Sequence, residues 1–219
     1  MDKRNSHFLL KPMPSTIAVI DFETTGMTPA QGARATEVGI VLLEGDTVVD
    51  RFASLMYTGV PVPPFIEQLT GITNAMLRKA PPAADVMREA ARFVGQAPMA
   101  AHNAAFDSKF WQAELERLDL PAPQPFACTV LLSRRVYPDA PSHKLGNLVD
   151  HLGLARPGRA HRALADAEMA AAVLARLQGD IGARYGQPRP GHALLMRLQR
   201  CKREAMGRLL QPEASRSAA

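Results

Sequence analysis

Residues 19–26 read Val-Ile-Asp-Phe-Glu-Thr-Thr-Gly, and the four residues before Asp21, Ile17 to Ile20, are all apolar. An apolar run that ends in a polar turn has the pattern of a buried strand. Strand side chains alternate between faces, so Asp21 and Glu23 project together while Phe22 points into the opposite layer. Two neighbouring carboxylates repel and shift each other's ionisation. A hard divalent cation with oxygen ligands removes that conflict. Thr24-Thr25-Gly26 adds a tight polar turn whose backbone N–H groups can face a phosphate or sugar.

The chain around this strand reads as strands first, then alternation. Residues 36–43 and 47–57 have strand character, and Glu44-Gly45-Asp46 between them is a hairpin turn. Short helical pieces are expected at 64–69 and 73–78, and a longer helix after Pro81-Pro82 at 83–94, with Val86, Ala90, Phe93 and Val94 on one face. A short strand at 98–101 leads to a helix capped by Asn103 and running to about 118. Another short strand follows at 126–129, then helices at 130–136, 144–152 and 163–178. The order predicts an α/β fold, a mixed five-stranded sheet flanked by helices.

The 219 residues suit one domain of ordinary size with an extension, and 47% hydrophobic residues can fill a core. The net charge of +5 fits a polyanionic partner. Eight basic residues and two acids lie in 184–219, so the positive excess sits in the tail. Residues 1–14 form an arm, 15–178 the main domain and 179–193 a Gly/Pro-punctuated linker. In 194–219, Leu194, Leu198, Cys201, Ala205 and Leu209 recur at helical spacing, which predicts a basic amphipathic helix followed by a loose end. That helix is open to three uses: a protein partner such as a polymerase, a grip on nucleic acid, or packing on the body. Two distant cysteines form no metal motif or disulfide framework. With no signal-like or membrane-spanning apolar run, the expected setting is the cytoplasm.

Two further clusters carry chemistry. HNAAFD, residues 102–107, follows the second short apolar strand and puts Asp107 in a first helical turn, where acids are favoured on dipole grounds alone. HRALADAE, residues 161–168, separates His161 from Asp166 by about 140° on an ideal helix. His161 therefore belongs in the loop entering the helix and Asp166 on it. Ala163, Ala165, Ala167 and Ala170–Ala172 leave that helix nearly bare, so it can approach the sheet closely.

Together DFETTG, HNAAFD and HRALAD resemble, in order, the three motifs of the DEDDh family of 3′→5′ exonucleases, above all the proofreading epsilon subunit of bacterial DNA polymerase III and its stand-alone relatives. KLGNLVDHLGL, residues 144–154, is similar to the family segment before the last motif. The tyrosine branch would place Tyr where Arg162 stands. The resemblance covers residues 15–178 and implies a ribonuclease H-like fold. It also implies two divalent ions, Mg²⁺ or Mn²⁺, with Asp21 bridging both, Glu23 and Asp166 completing one site and Asp107 supporting the other. His161 is the implied general base, since an unperturbed imidazole titrates near ~6.5. Backbone around Glu23, Thr24 and Thr25 is implied to hold the terminal 3′ hydroxyl, with Phe106 near the last nucleotide. LTGIT, residues 69–73, matches a family helix but has Thr70 where many epsilon-like members have His. Arg156, Arg159 and Arg162 surround His161 and are candidates for backbone phosphates. Aromatic residues make up only 5% of the chain, which argues for sequence-tolerant backbone binding. The implied substrate is single-stranded or frayed DNA. RNA with the same chemistry is the first alternative, and a non-catalytic polymerase accessory subunit the second.

Overall fold

The computed structural model describes residues 16–158 and 161–210. The expected arm at 1–14, Arg159 and the tail beyond 210 lie outside the described residues.

Three strands come first: β1 (Ile17–Thr24), β2 (Ala35–Glu44) and β3 (Thr47–Leu55). They pair antiparallel, and Gly45 turns the β2–β3 hairpin with a φ of 64°, a left-handed conformation that glycine adopts without strain. Helices α1 (Pro64–Thr70), α2 (Asn74–Leu77) and α3 (Ala83–Val94) lead to β4 (Met99–Ala101). After α4 (Ala104–Glu116) comes β5 (Phe126–Cys128), then α5 (Thr129–Val136), α6 (Leu145–His151) and α7 (Ala163–Tyr185). The sheet order is β3-β2-β1-β4-β5, with β4 parallel to β1 and β5 parallel to β4. The mixed sheet of five strands matches the expected fold.

Alternation along β1 divides the core. Ile17 and Val19 face a layer that holds Val173, Leu174 and Leu177 of α7 together with Leu132 and Leu148. Ala18, Ile20 and Phe22 face the other layer, where Met87 of α3 and Phe110, Trp111 and Leu115 of α4 are fully buried. Asp21 and Glu23 continue the α7 side, as the strand pattern predicts.

The Ala-rich start of α7 rests directly on β2. A Cβ added at Gly39 would lie 2.3 Å from backbone atoms of Ala163 and Leu164, so only glycine permits this approach. The helix does not stop at residue 178 but runs through Gly179 and Gly182 to Tyr185. Buried Leu177 and Ile181 extend its apolar face, which outweighs the low helix propensity of the glycines. Gly182 also makes room for the returning chain, since a Cβ there would lie 2.9 Å from the Gln187 carbonyl.

The single basic helix expected after residue 194 is divided. The chain forms α8 (His192–Leu198), a turn, a short 3-10 segment (Arg203–Ala205) and α9 (Met206–Leu210). Tertiary contacts cause the break. The Gln199 side-chain amide pairs with the open edge of β5, with its Oε1 accepting from Cys128 N–H at 2.6 Å and its Nε2 donating to Phe126 O at 3.2 Å. His192 Nε2 donates to Met99 O at 2.7 Å, and Arg135 Nε donates to Cys201 O at 2.7 Å. Leu195, Leu198, Met206 and Leu210 are buried in the α7-side core, while Arg197, Arg200 and Arg208 stay exposed. Among the described residues, no helix is long and apolar enough to cross a membrane.

Candidate active site

β1 outruns β4. The two pair only at Ala18–Met99 and Val19–Ala100, so the last part of β1 has no β4 neighbour. Even-numbered N–H groups of β1 point to that side, as Ala18 N–H shows by donating to Pro98 O at 3.0 Å. At Phe22 the missing partner is replaced by a side chain: its N–H donates to Asp107 Oδ1 at 3.2 Å. Asp107 is thus drawn from α4 to a backbone position between Asp21 and Glu23. It is 98% shielded from solvent.

The turn from β4 into α4 is tight. Asn103 holds it with a φ of 70°, a left-handed conformation that Asn tolerates. Its side chain makes no capping bond, contrary to the cap role expected of it; the backbone carbonyl accepts from Phe106 N–H at 2.8 Å instead. His102 braces the same junction. Its Nε2 donates to His143 O at 2.9 Å and its Nδ1 accepts from Thr129 Oγ1 at 2.8 Å. Burial pushes its pKa down to about 4, so it stays neutral.

Asp166 and His161 come from the start of α7. His161 is exposed in the entering loop with a φ of 60°, and its N–H donates to Asp166 Oδ2 at 3.1 Å. A left-handed non-glycine residue is an uncommon, strained conformation of the kind held at functional sites. Donor atoms of Glu23, His161 and Asp166 lie within 4.8 Å of one another.

The ionisation of the carboxylates records their crowding. Burial raises Asp21 far above the carboxylate range, and Asp107, Asp166, Glu23 and Glu37 raise it further. Glu23 is pushed up to about 8 by burial, then by Asp166 and Glu37, with Arg162 opposing. Asp107 is also pushed up to about 8 by burial, against the bond from Phe22. Asp166 is raised by burial, while the N–H of His161 pulls it down. A buried set of oxygen donors that resist ionising side by side is chemically suited to hard divalent cations, which relieve both the repulsion and the lost solvation.

Asp21, Glu23, Thr24, Thr70, Phe106, His161 and Asp166 line one cleft of about 300 Å³. Its other wall is apolar, formed by Met27, Phe65, Ile66 and Leu69, of which Met27 and Phe65 are 78% and 69% exposed. Several expected contacts have other employment. Thr24 Oγ1 donates to Gly26 O at 2.7 Å. Thr25, which is not among the cleft-lining residues, accepts from Arg34 N–H at 3.0 Å. Thr70 Oγ1 donates to Ile66 O at 2.9 Å and accepts from Ile72 N–H at 3.0 Å, so its hydroxyl closes α1. Phe106 packs against Phe110 with the rings tilted by 47° and their centroids 4.9 Å apart, and it also lines the cleft. Arg156 is taken up by Asp150 at 2.7 Å and Gly146 O at 3.0 Å. Arg162 forks onto Glu37 at 2.6 and 3.1 Å.

Glu37 escaped the sequence reading, although it is buried and sits directly opposite Glu23 in the β1–β2 register. So did the apolar wall residues Met27, Phe65 and Leu69, whose only signal was apolar character next to the motifs.

A family model described as exonuclease matches residues 18–174. The chain belongs to the exonuclease family. Among its relatives, the DNA polymerase III subunit epsilon of Aquifex aeolicus is 31% identical over 175 residues, 80% of this chain and 86% of the relative. The 3′-5′ exonuclease DinG of Bacillus subtilis is 37% identical over 155 residues, 69% of this chain. This exonuclease-family chain spans only 16% of DinG and 11% of a PolC-type DNA polymerase III of Clostridium perfringens. Among solved structures, exonuclease X in complex with 5′ overhanging duplex DNA superposes with a TM-score of 0.64 at 26% identity, covering 82% of this chain and 99% of that one. The nuclease domain of 3′hExo, a DEDDh family member, shares the fold with a TM-score of 0.65 at 22% identity, covering 76% and 92%. The five expected site residues lie at the carboxyl end of β1, in the first turn of α4, and in the loop and first turn that begin α7.

Proposed function

We propose that this protein is a metal-dependent 3′→5′ exonuclease that removes nucleoside monophosphates from the 3′ ends of single-stranded or frayed DNA. One observation carries the reading: Asp21, Glu23 and Asp166 line a cleft with one apolar wall beside the exposed His161, and buried Asp107 is anchored next to them on Phe22 N–H. Membership of the exonuclease family supports it, as does the likeness to a polymerase III epsilon subunit and to exonuclease X.

Asp21, Glu23, Asp107 and Asp166 would hold two divalent ions, Mg²⁺ or Mn²⁺. When bound, these would neutralise the scissile phosphate, acidify the attacking water and stabilise the departing 3′ oxygen. The chain's own residues do the rest. His161, exposed in the loop entering α7, accepts the water proton as oxygen attacks phosphorus. The bond from phosphorus to the 3′ oxygen of the preceding nucleotide breaks in line. Phe106, Phe65, Leu69 and Met27 pack against the terminal bases, and backbone at Glu23–Thr24 receives the terminal 3′ hydroxyl. Positioning and charge stabilisation then supply most of the rate. Association with a polymerase is an extension of this reading, supported by the epsilon relative and by the exposed basic side of α8 and α9.

The test is digestion of 5′-labelled single-stranded DNA and matched RNA with Mg²⁺ or Mn²⁺, beside an Asp21→Ala, Glu23→Ala control. The expected result is a ladder that shortens from the 3′ end on DNA and is absent in the control. Stronger cleavage of RNA would reassign the substrate. No metal-dependent product on either would favour a binding subunit instead.

A further inference from the structure

Two buried glutamates are used in the same unusual way. Glu114 accepts from Arg34 Nε and Nη2, both at 2.8 Å, and from the next backbone N–H, Ala35, at 3.1 Å. Glu37 accepts from Arg162 Nη2 at 2.6 Å and Nε at 3.1 Å, and from the next backbone N–H, Ala163, at 3.0 Å. Each carboxylate thus grips an Arg-Ala step at the point where a loop enters β2 or α7.

The second grip bears on the site. α7 has no local side-chain cap, and its first N–H is satisfied by Glu37, 126 residues away in sequence. Glu37 lies opposite Glu23 across the β1–β2 pair, where like charges repel. Arg162 binds Glu37, and its positive charge also lowers the pKa of Glu23, favouring the charged form of both acids. On either side of Arg162 hang His161 and the first turn of α7, where Asp166 N–H donates to Arg162 O at 3.0 Å. Two residues along β2, Gly39 lets the α7 backbone touch the strand.

We propose that Glu37 and Arg162 are positioning residues: their fork fixes the His161–Asp166 segment of α7 against the Asp21–Glu23 end of β1. Arg162 on this view is not a phosphate ligand. The inference rests on the exonuclease reading for its kinetic consequence and on the geometry alone for its structural one.

Arg162→Lys keeps the charge but removes the fork, at a position half-open to solvent that tolerates change. Glu37→Gln keeps one acceptor. Both are made in the full chain. Hydrogen–deuterium exchange over residues 161–170 is expected to quicken by about fivefold or more in each, with α3 and β5 unchanged. On single-stranded DNA, kcat is expected to fall about 10- to 100-fold with KM nearly constant, because misplacement harms the transition state rather than binding. The Mn²⁺-induced rise in melting temperature should survive. Unchanged exchange at the start of α7 would overturn the proposal, as would a uniform rise across the chain. A raised KM with a shallower salt dependence in Arg162→Lys would make Arg162 a phosphate ligand. A Mn²⁺ response lost in Glu37→Gln as fully as in Asp21→Asn would make Glu37 a metal ligand. Should the wild-type protein degrade neither DNA nor RNA, the exonuclease reading fails while the exchange result still decides the positioning role.

Discussion

At the scale of single residues, the site is set by how its carboxylates share too little solvent. Glu23 and Asp107 are both pushed up to about 8 in the folded chain, from ordinary values near 4. A raised carboxylate favours the folded state while protonated, so its contribution is full below the unfolded value and fades as pH rises through the folded one. The lowered histidines, His102, His143 and His192, work in the opposite sense, but only below the ordinary imidazole value of 6.5. Among the described groups with a shifted ionisation, the carboxylates act alone between about 6.5 and about 8. Metal-free protein should therefore lose stability as pH rises across that window, as urea denaturation in chelator would show. Asp107→Asn, which keeps an acceptor for Phe22 N–H, should flatten the slope. Added Mg²⁺ or Mn²⁺ should reverse it, stabilising more at the higher pH. Glu23 keeps its share of the slope in that variant, so a slope wholly unchanged in Asp107→Asn would place its origin elsewhere. His161→Ala should cut kcat by about 10² to 10⁴ while leaving the metal-induced thermal shift near that of the wild type. Strand alternation made Asp21 and Glu23 legible as a pair, whereas Asp107, His161 and Asp166 stood out through the likeness of their motifs, in order, to those of a known family. Glu37 was not legible, because an acid inside a strand announces nothing until its register partner is known. The fates of Arg162, of the Thr70 hydroxyl and of Thr25 N–H, which donates to Arg34 O at 2.9 Å, were equally hidden, since a sequence shows a donor but not the neighbour that has already taken it.

At the scale of elements, the contact of α7 with β2 decides whether the third motif reaches the first. Gly39→Ala would put a methyl group 2.3 Å from the α7 backbone, and no side-chain rotation can relieve a clash with main chain. The expected outcome is a loss of about 1–3 kcal/mol in stability, measured by urea denaturation, together with a marked fall in kcat. Stability lost with kcat intact would show that α7 can shift without disturbing Asp166. The bareness of α7 was visible in its alanines, and α3 was placed to the residue because Pro81-Pro82 and its apolar face agree. The far end of α7 was misjudged for a reason that local signals cannot supply. Glycines at 179 and 182 read as breakers, yet buried Leu177 and Ile181 hold the helix together from outside. The end of α8 at Gln199 was equally out of reach of local signals: its N–H still closes the last turn on Leu195 O at 2.9 Å, while its side-chain amide anchors that end to β5.

At the scale of the whole molecule, the segment from His192 to Leu210 is part of the core rather than an appendage. Leu195, Leu198, Met206 and Leu210 are each at most 6% exposed. Burying each such side chain is worth roughly 1.5–3 kcal/mol, and domains have only about 5–15 kcal/mol in total. Truncation after Pro190 should therefore yield a chain that unfolds or aggregates, judged by melting and light scattering, and not one that merely binds DNA less tightly. Gln199→Ala is the milder version: it strands Cys128 N–H and Phe126 O, at about 1–3 kcal/mol, and should lower the melting temperature with little change in kcat. A truncated chain that stays folded, monomeric and active would return α8 and α9 to the role of an attachment.

The amide of Gln199 also has a bearing on biosynthesis. It closes an edge whose strand lies 71 residues earlier in the chain, and His192 reaches back 93 residues to Met99. Contacts so distant in sequence form late, because the intervening chain must first be brought together. While the ribosome is still adding residues 129–198, the emerging sheet carries β5 as a bare rim, open to pairing with another nascent chain. Slow translation through this stretch should therefore cost more soluble protein than an equal pause placed after residue 210.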